Sequence, residues 1–214
     1  MARRVVVVGS NGALAELARG SSPARLAPGD DVVLVPTAAA FSGATEAAVR
    51  LAALLEPTGA RVEALMVADR TSADEEYFAR RVAEADWSVL VDGSPLHART
   101  VWRGSALAGA LAHCAGLVAV GATATVLGAH MIDPRGGAPT TGLGLVEGVV
   151  FTTPASDAQL ARTRSLLGAE AALLLLDVEG AVGNFGEGWV RLSAAGVSAT
   201  RGDEPCELAS LSAR

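Results

Sequence analysis

Three short segments of this sequence concentrate the residue types able to do acid–base or nucleophilic chemistry. Asp92-Gly93-Ser94-Pro95-Leu96-His97 places a carboxylate, a hydroxyl and an imidazole close together. Gly121-Ala122-Thr123-Ala124-Thr125 follows an apolar run. Its small residues permit the sharp strand-to-helix turn that presents a nucleophile in many hydrolases, with the next backbone N–H groups serving as an oxyanion hole. No Ser or Cys stands there. Thr123 and Thr125 are the only hydroxyls, and the extra methyl of threonine crowds such a turn, so both also read as helix caps or packing. His130 precedes Met131-Ile132-Asp133-Pro134-Arg135-Gly136-Gly137, a loop with turn chemistry.

Each segment has an ordinary reading beside the chemical one. Asp92, Ser94 and His97 lie too close in sequence to be presumed a triad, whose members usually come from separate loops; alone, that stretch is a turn with Pro after Ser. His113 beside Cys114 inside an apolar helix reads as packed. Gly9-Ser10-Asn11-Gly12 is spaced as a tight turn rather than as a dinucleotide fingerprint, which needs G-x-G-x-x-G. Cys114 and Cys206 lie far apart and neither belongs to a C-x-x-C pair, so neither a disulfide scaffold nor a metal site is expected. No cofactor motif stands out.

The elements that would carry these segments are legible in the hydrophobic pattern. Arg4-Val5-Val6-Val7-Val8-Gly9 and Asp31-Val32-Val33-Leu34-Val35-Pro36 are continuous β-branched runs, as in strands buried on both faces of a parallel sheet. Residues 61–67, 87–93 and 117–121 read as three more strands. Helices are expected over 43–55, from Thr71-Ser72 through 85, over 105–115 and over 122–129. Strands alternating with helices predict an α/β fold with a mostly parallel sheet, whose ligand crevice lies beyond the carboxyl ends of the strands. From Leu145 onward the pattern changes to short strands around a helix at 157–167, with Asn184-Phe185-Gly186-Glu187-Gly188 as a hairpin turn. The expected organisation is one domain over 1–200 and a loose tail over 201–214.

Composition narrows the function classes. The chain has 214 residues, 50 % hydrophobic, 19 % charged and 4 % aromatic, so it is expected to fold, with a core of Ala, Val and Leu. Net charge is −6, and all 17 basic residues are Arg. No basic patch of the kind nucleic acid requires is visible. No apolar run reaches the length of a membrane span. A cytoplasmic, reducing environment is expected.

Taken in order, Val91-Asp92-Gly93-Ser94-Pro95-Leu96-His97, Gly121 to Leu127, and Met131 to Gly137 with Gly142-Leu143-Gly144-Leu145 resemble the cyanophycinase and dipeptidase E family of serine exopeptidases. The resemblance is closest to a divergent branch with a class I (type 1) glutamine amidotransferase-like fold. It spans about residues 4 to 200, and Val35-Pro36-Thr37-Ala38-Ala39-Ala40 fits it too. It implies a Rossmann-like, three-layer α/β/α sandwich with a mostly parallel central sheet and short antiparallel strands near the C-terminus. It also implies acyl transfer by a Ser on the elbow, a His from a later strand and a carboxylate partner. The elbow pattern G-x-S-A-G-A puts the Ser position on Gly121 without gaps, or on Thr123 after a shift of two. The His position falls on Pro154, and the carboxylate on Asp177 or Glu179. No serine and no histidine stand at the matched positions.

The resulting expectation is a peptidase-like pseudoenzyme that binds without hydrolysing. Its pocket would be lined by Asp92, Gly93, Ser94, His97, Gly121, Ala122, Thr123, His130 and Asp133, with a small peptide or amino acid as ligand. Arg99 and Arg103 would either meet a ligand carboxylate or face water. The alternative is an active exopeptidase or amidohydrolase with a rebuilt site: Thr123 as nucleophile, His97 or His130 as base, Asp92 or Asp133 as orienter. A third class, an assembly role as a homodimer, stays open.

Overall fold

The β-branched runs form the middle of the molecule, as their pattern requires. The structure, a computed structural model, describes residues 3–211. Its strands are β1 (Arg4–Val8), β2 (Asp31–Val35), β3 (Arg61–Ala64), β4 (Trp87–Leu90), β5 (Gly116–Val120), β6 (His130–Ile132), β7 (Pro139–Thr141), β8 (Val149–Thr152), β9 (Ala172–Leu176), β10 (Ala181–Asn184), β11 (Trp189–Arg191), β12 (Val197–Arg201) and β13 (Glu204–Pro205). The helices are α1 (Asn11–Arg19), α2 (Ala44–Leu55), α3 (Arg70–Ala73), α4 (Glu76–Glu84), α5 (Pro95–Trp102), α6 (Ala106–His113) and α7 (Asp157–Leu167).

Seven strands make the central sheet in the order β11-β10-β1-β5-β4-β2-β3. The run from β1 to β3 is parallel, and β10 joins β1 antiparallel. Successive residues of a strand point to opposite faces, and the two faces carry separate apolar clusters. Val6, Val8, Val32 and Leu34 meet Leu14, Leu17, Ala48, Leu51 and Leu55 from α1 and α2. Val5, Val7, Val33 and Val35 meet Val82, Trp102, Leu107 and Leu111 from α4 to α6, and Phe151 and Leu174 from a second sheet. That second sheet, ordered β13-β12-β9-β8, is covered by Leu160 and Leu167 of α7. Burying one such aliphatic side chain stabilises the fold by about 1.5–3 kcal/mol. The architecture is the expected α/β sandwich: helices on both faces of a mostly parallel sheet, antiparallel strands toward the C-terminus.

Several local expectations are corrected. The Asp92–His97 stretch is not only a turn. Ser94 caps α5 by accepting the His97 N–H at 3.4 Å, and Pro95 occupies the first helical turn, where its missing N–H costs nothing. The helix expected from Thr71 is two helices. Asp69, not Thr71 or Ser72, is the cap of α3, accepting the Ser72 N–H at 2.9 Å, and the chain breaks before α4. Residues 121–126 form a 3₁₀ turn rather than an α-helix. The loop after His130 is a small β6–β7 hairpin. The segment from 201 is ordered as far as Leu211: β13 pairs with β12, and Leu211 is buried. The remainder of that expected tail, 212–214, and residues 1–2 of the expected domain lie outside the described residues. Among the described residues no helix is long and apolar enough to cross a membrane.

Candidate functional site at the tips of β4 and β5

The parallel register of β4 and β5 (Leu90 opposite Ala119) brings the residues that follow each strand side by side. Asp92 therefore stands next to Gly121. Gly121 has φ +57°, the left-handed region that other residues enter only at a cost. A Cβ at position 121 would lie 2.3 Å from Cγ of Asp92 and 2.4 and 2.5 Å from its oxygens. The Asp92 carboxylate thus fills the space that a side chain on the turn would take.

The same carboxylate is held by the turn's backbone. Asp92 Oδ1 accepts the Ala122 N–H at 2.8 Å. The Gly93 and Thr123 amides also act on the carboxylate, and all three lower its pKa; burial opposes them and prevails, pushing the Asp92 carboxyl above its usual range. The neighbouring wall is equally constrained. A Cβ on Gly93 would stand 2.3 Å from the Ala38 carbonyl, and the Ser94 N–H donates to that carbonyl at 2.7 Å. Ala38 belongs to the turn after β2, which Thr37 anchors: its hydroxyl donates to the Val67 carbonyl at 2.6 Å and accepts the buried Trp102 indole N–H at 3.1 Å.

Beside Ala122 opens a cleft of about 130 Å³. Pro154 and Asp133 line it, with Pro95, Thr125, Thr152 and Gln159 among the others. The structure thus brings Ala122, Asp133 and Pro154 to one place. Thr152, Thr163 and Gln159 went unnoticed in the sequence; the only signal was the Thr-Thr-Pro at the end of a strand-like run. The hydroxyls of Thr125 and Thr163 donate to the carbonyls of Ala122 and Gly137, at 2.8 and 2.7 Å. A larger cleft, about 540 Å³, opens at the start of α1 between Ser10, Glu16, Glu179 and Ser193. It lacks the residues of the three chemical segments, whereas the smaller cleft takes Ala122 and Asp133 from the expected lining; Asp92, Gly93, Ser94, His97, Gly121, Thr123 and His130, expected there too, line neither cleft. The smaller cleft is therefore the candidate site.

Of the rebuilt-triad alternative, only Asp92 and Thr123 are neighbours, through the Thr123 amide rather than its hydroxyl. Thr123 is fully buried and its hydroxyl donates to the Val91 carbonyl at 2.9 Å. His97 Nε2 lies 3.2 Å from the Ala68 carbonyl oxygen, and its ring sits against Phe41 with centroids 4.5 Å apart. His130 is exposed at the head of β6, opposite Thr141. Asp133 Oδ1 accepts the Arg135 N–H at 2.9 Å, closing the hairpin. Thr123, His97 and Asp133 are each engaged elsewhere, and no hydrogen bond joins a hydroxyl, an imidazole and a carboxylate of this set among the described residues. Asp177 accepts the Val178 N–H at 2.6 Å, and Glu179 lines the larger cleft rather than the one holding Pro154. Arg99 donates through Nε to the Thr141 carbonyl, and neither Arg99 nor Arg103 lines the smaller cleft. His113 is exposed at the end of α6, not packed as expected; its Nδ1 lies 3.0 Å from the Gly109 carbonyl oxygen one helical turn back. Among the described residues no group of three or more His, Cys, Asp or Glu side chains could hold a metal ion.

No family model matches the chain. No curated protein matches it. Solved structures do. A peptidase from an acI-B1 Actinobacterium superposes with a TM-score of 0.73 at 18 % identity, over 95 % of this chain and 93 % of that one. A "Putative Peptidase E Protein" from Listeria monocytogenes EGD-e superposes with a TM-score of 0.66 at 12 % identity, over 90 % of this chain and 99 % of that one. At these identities the likeness is one of architecture: the chain has the α/β fold of these peptidases.

Proposed function

We propose that this chain is a non-hydrolytic member of the peptidase fold, which holds a small peptide or amino acid in the cleft beside Ala122. One observation carries the reading. The left-handed position at the tip of β5 is Gly121, and a carboxylate occupies the volume where a nucleophile's side chain would stand. A hydroxyl without a base is a poor nucleophile, and the nearest hydroxyl on the turn, Thr123, is buried and bonded to a carbonyl. At the position where the resemblance expects histidine, the cleft carries Pro154, which cannot accept a proton. The peptidase neighbours support the frame; the loss of acyl transfer rests on these residues alone.

Mass spectrometry of the full chain incubated with Asp-containing dipeptides and isoaspartyl peptides tests the chemistry. No cleavage above the buffer control is expected. Turnover that disappears in Thr123→Val would restore the hydrolase alternative. Calorimetry and thermal shift across the same panel test binding, and silence in both across all peptides and amino acids removes the ligand claim.

A further inference from the structure

β3 ends the seven-stranded sheet and pairs only with β2. The Arg61 and Leu65 amides donate to the Asp30 and Leu34 carbonyls, at 2.8 Å each. Backbone groups alternate in direction along a strand, so those of Val62 and Ala64 point outward from the edge. Among the described residues they have no hydrogen-bond partner. Large apolar side chains stay uncovered on both sides of this edge. On one side Val49, Ala52, Val62, Ala64 and Met66 border a shallow hollow of about 160 Å³, with Val49 62 % and Met66 42 % exposed. On the other, Tyr77 is 47 % exposed and its hydroxyl donates to Glu63 Oε1 at 3.0 Å. We propose that a second copy of this chain covers the edge: two β3 strands pair antiparallel about a two-fold axis at Val62, joining two sheets into one. This surface lies away from the cleft beside Ala122, and the proposal stands whether or not that cleft binds a peptide.

Charge complementarity identifies the occupant and selects the register. Arg61 is exposed and has no ion pair among the described residues. Glu63, two residues on, lies on the same face of the strand. With Val62 opposite its own copy, each Arg61 stands opposite the other chain's Glu63. Those are the non-hydrogen-bonded positions, where facing side chains come closest. The two Val62 residues exchange both backbone hydrogen bonds with the groups that now point outward. An axis at Glu63 would oppose two carboxylates, and one at Arg61 two guanidinium groups, both destabilising. An axis at Ala64 would set Glu63 against the apolar Leu65. Natural edge strands use charge to repel further strands; here the alternation Arg61-Val62-Glu63 is complementary to itself when reversed, as an isologous contact requires. The same axis sets the two hollows side by side, so that Val49 and Met66 of each copy are withdrawn from water.

Sedimentation velocity of the full chain from about 1 µM to about 1 mM tests this. Four-residue strands make a small seam, so dissociation constants of about 1–100 µM are expected. The mass should rise with concentration from that of the 21.5 kDa chain toward twice that value. Arg61→Glu sets two carboxylates against each other on both sides of the axis and should weaken association by at least about tenfold. Val62→Pro removes the outward N–H while leaving the ladder to β2 intact, as edge strands allow, and should abolish association. A wild-type chain that stays monomeric throughout, or a dimer that neither substitution weakens, overturns the proposal. Should either variant fail to fold, amide hydrogen exchange of the wild-type chain at the two ends of that range decides. Val62 N–H protection that grows at least about tenfold with concentration supports the seam, and protection independent of concentration overturns it.

Discussion

Replacing Gly121 with alanine reads the crowding at the β5 tip as a free energy. Two costs follow from the geometry. A residue with a Cβ at φ +57° loses about 1–2 kcal/mol relative to glycine. The new methyl would also sit 2.3 Å from Asp92 Cγ, so the carboxylate must leave the Ala122 amide. A hydrogen bond to a charged group contributes about 1.5–3 kcal/mol. The sum predicts a loss of roughly 2.5–5 kcal/mol in the wild-type background. In an Asp92→Gly background only the backbone cost remains, so the two substitutions couple by about 1.5–3 kcal/mol. Urea unfolding followed by the fluorescence of Trp87, Trp102 and Trp189, all buried, measures the cycle. Additive costs, with coupling below about 0.5 kcal/mol, would refute the claim that Asp92 fills the space above Gly121.

Other consequences can be checked with the same unfolding assay. Thr37→Val strips the acceptor from the buried Trp102 indole and the donor from the Val67 carbonyl, and should cost about 1–3 kcal/mol; a neutral result would mean that the indole finds another partner. Arg81 bridges Asp31 at 3.2 Å and Glu63 at 2.7 Å, tying α4 to the β2–β3 edge. Arg81→Ala should therefore destabilise by about 1–3 kcal/mol, with Arg81→Lys recovering only part because its ammonium cannot fork across both carboxylates. Because the Asp92 carboxyl sits above its unfolded-state pKa, the folded protein binds the extra proton between the two values. Its contribution is present below the ordinary carboxyl range and is lost as pH rises through the raised value. Asp92→Asn should flatten that slope in a series of urea midpoints, and parallel curves would contradict it.

What could be read in advance follows the range of the interactions involved. Val5–Val8 and Val32–Val35 declare themselves because a strand buried on both faces needs an unbroken apolar run. The expected α7 boundaries, 157–167, match because Ser156 and Gln159 form a capping box, with the Gln159 N–H at 3.3 Å from Ser156 Oγ. The start of α5 was obscured because Ser94-Pro95 serves equally as a turn and as a cap with proline in the first turn. The β6–β7 hairpin was hidden by three-residue strands, one of them beginning with Pro139. Asp92 and Gly121 could each be singled out as candidates. Their contact could not, because it depends on which strands are neighbours and in what register. An acidic residue after one strand and a glycine at the elbow position of the next were the only trace of it.

The placement of β10 has a consequence for how the chain reaches this state. β1 lies between β5 and β10, with Val5 opposite Leu117 on one side and Asn184 on the other. Its first flank can be covered once residue 120 is available, but the second must wait for β10, a segment about 60 residues later in the sequence. During synthesis, one side of Val5–Val8 stays unpaired until that segment arrives. Unpaired strand edges invite association with other chains. Losing the last quarter of the sequence would thus leave the β1 edge as a sticky seam along an otherwise assembled sheet.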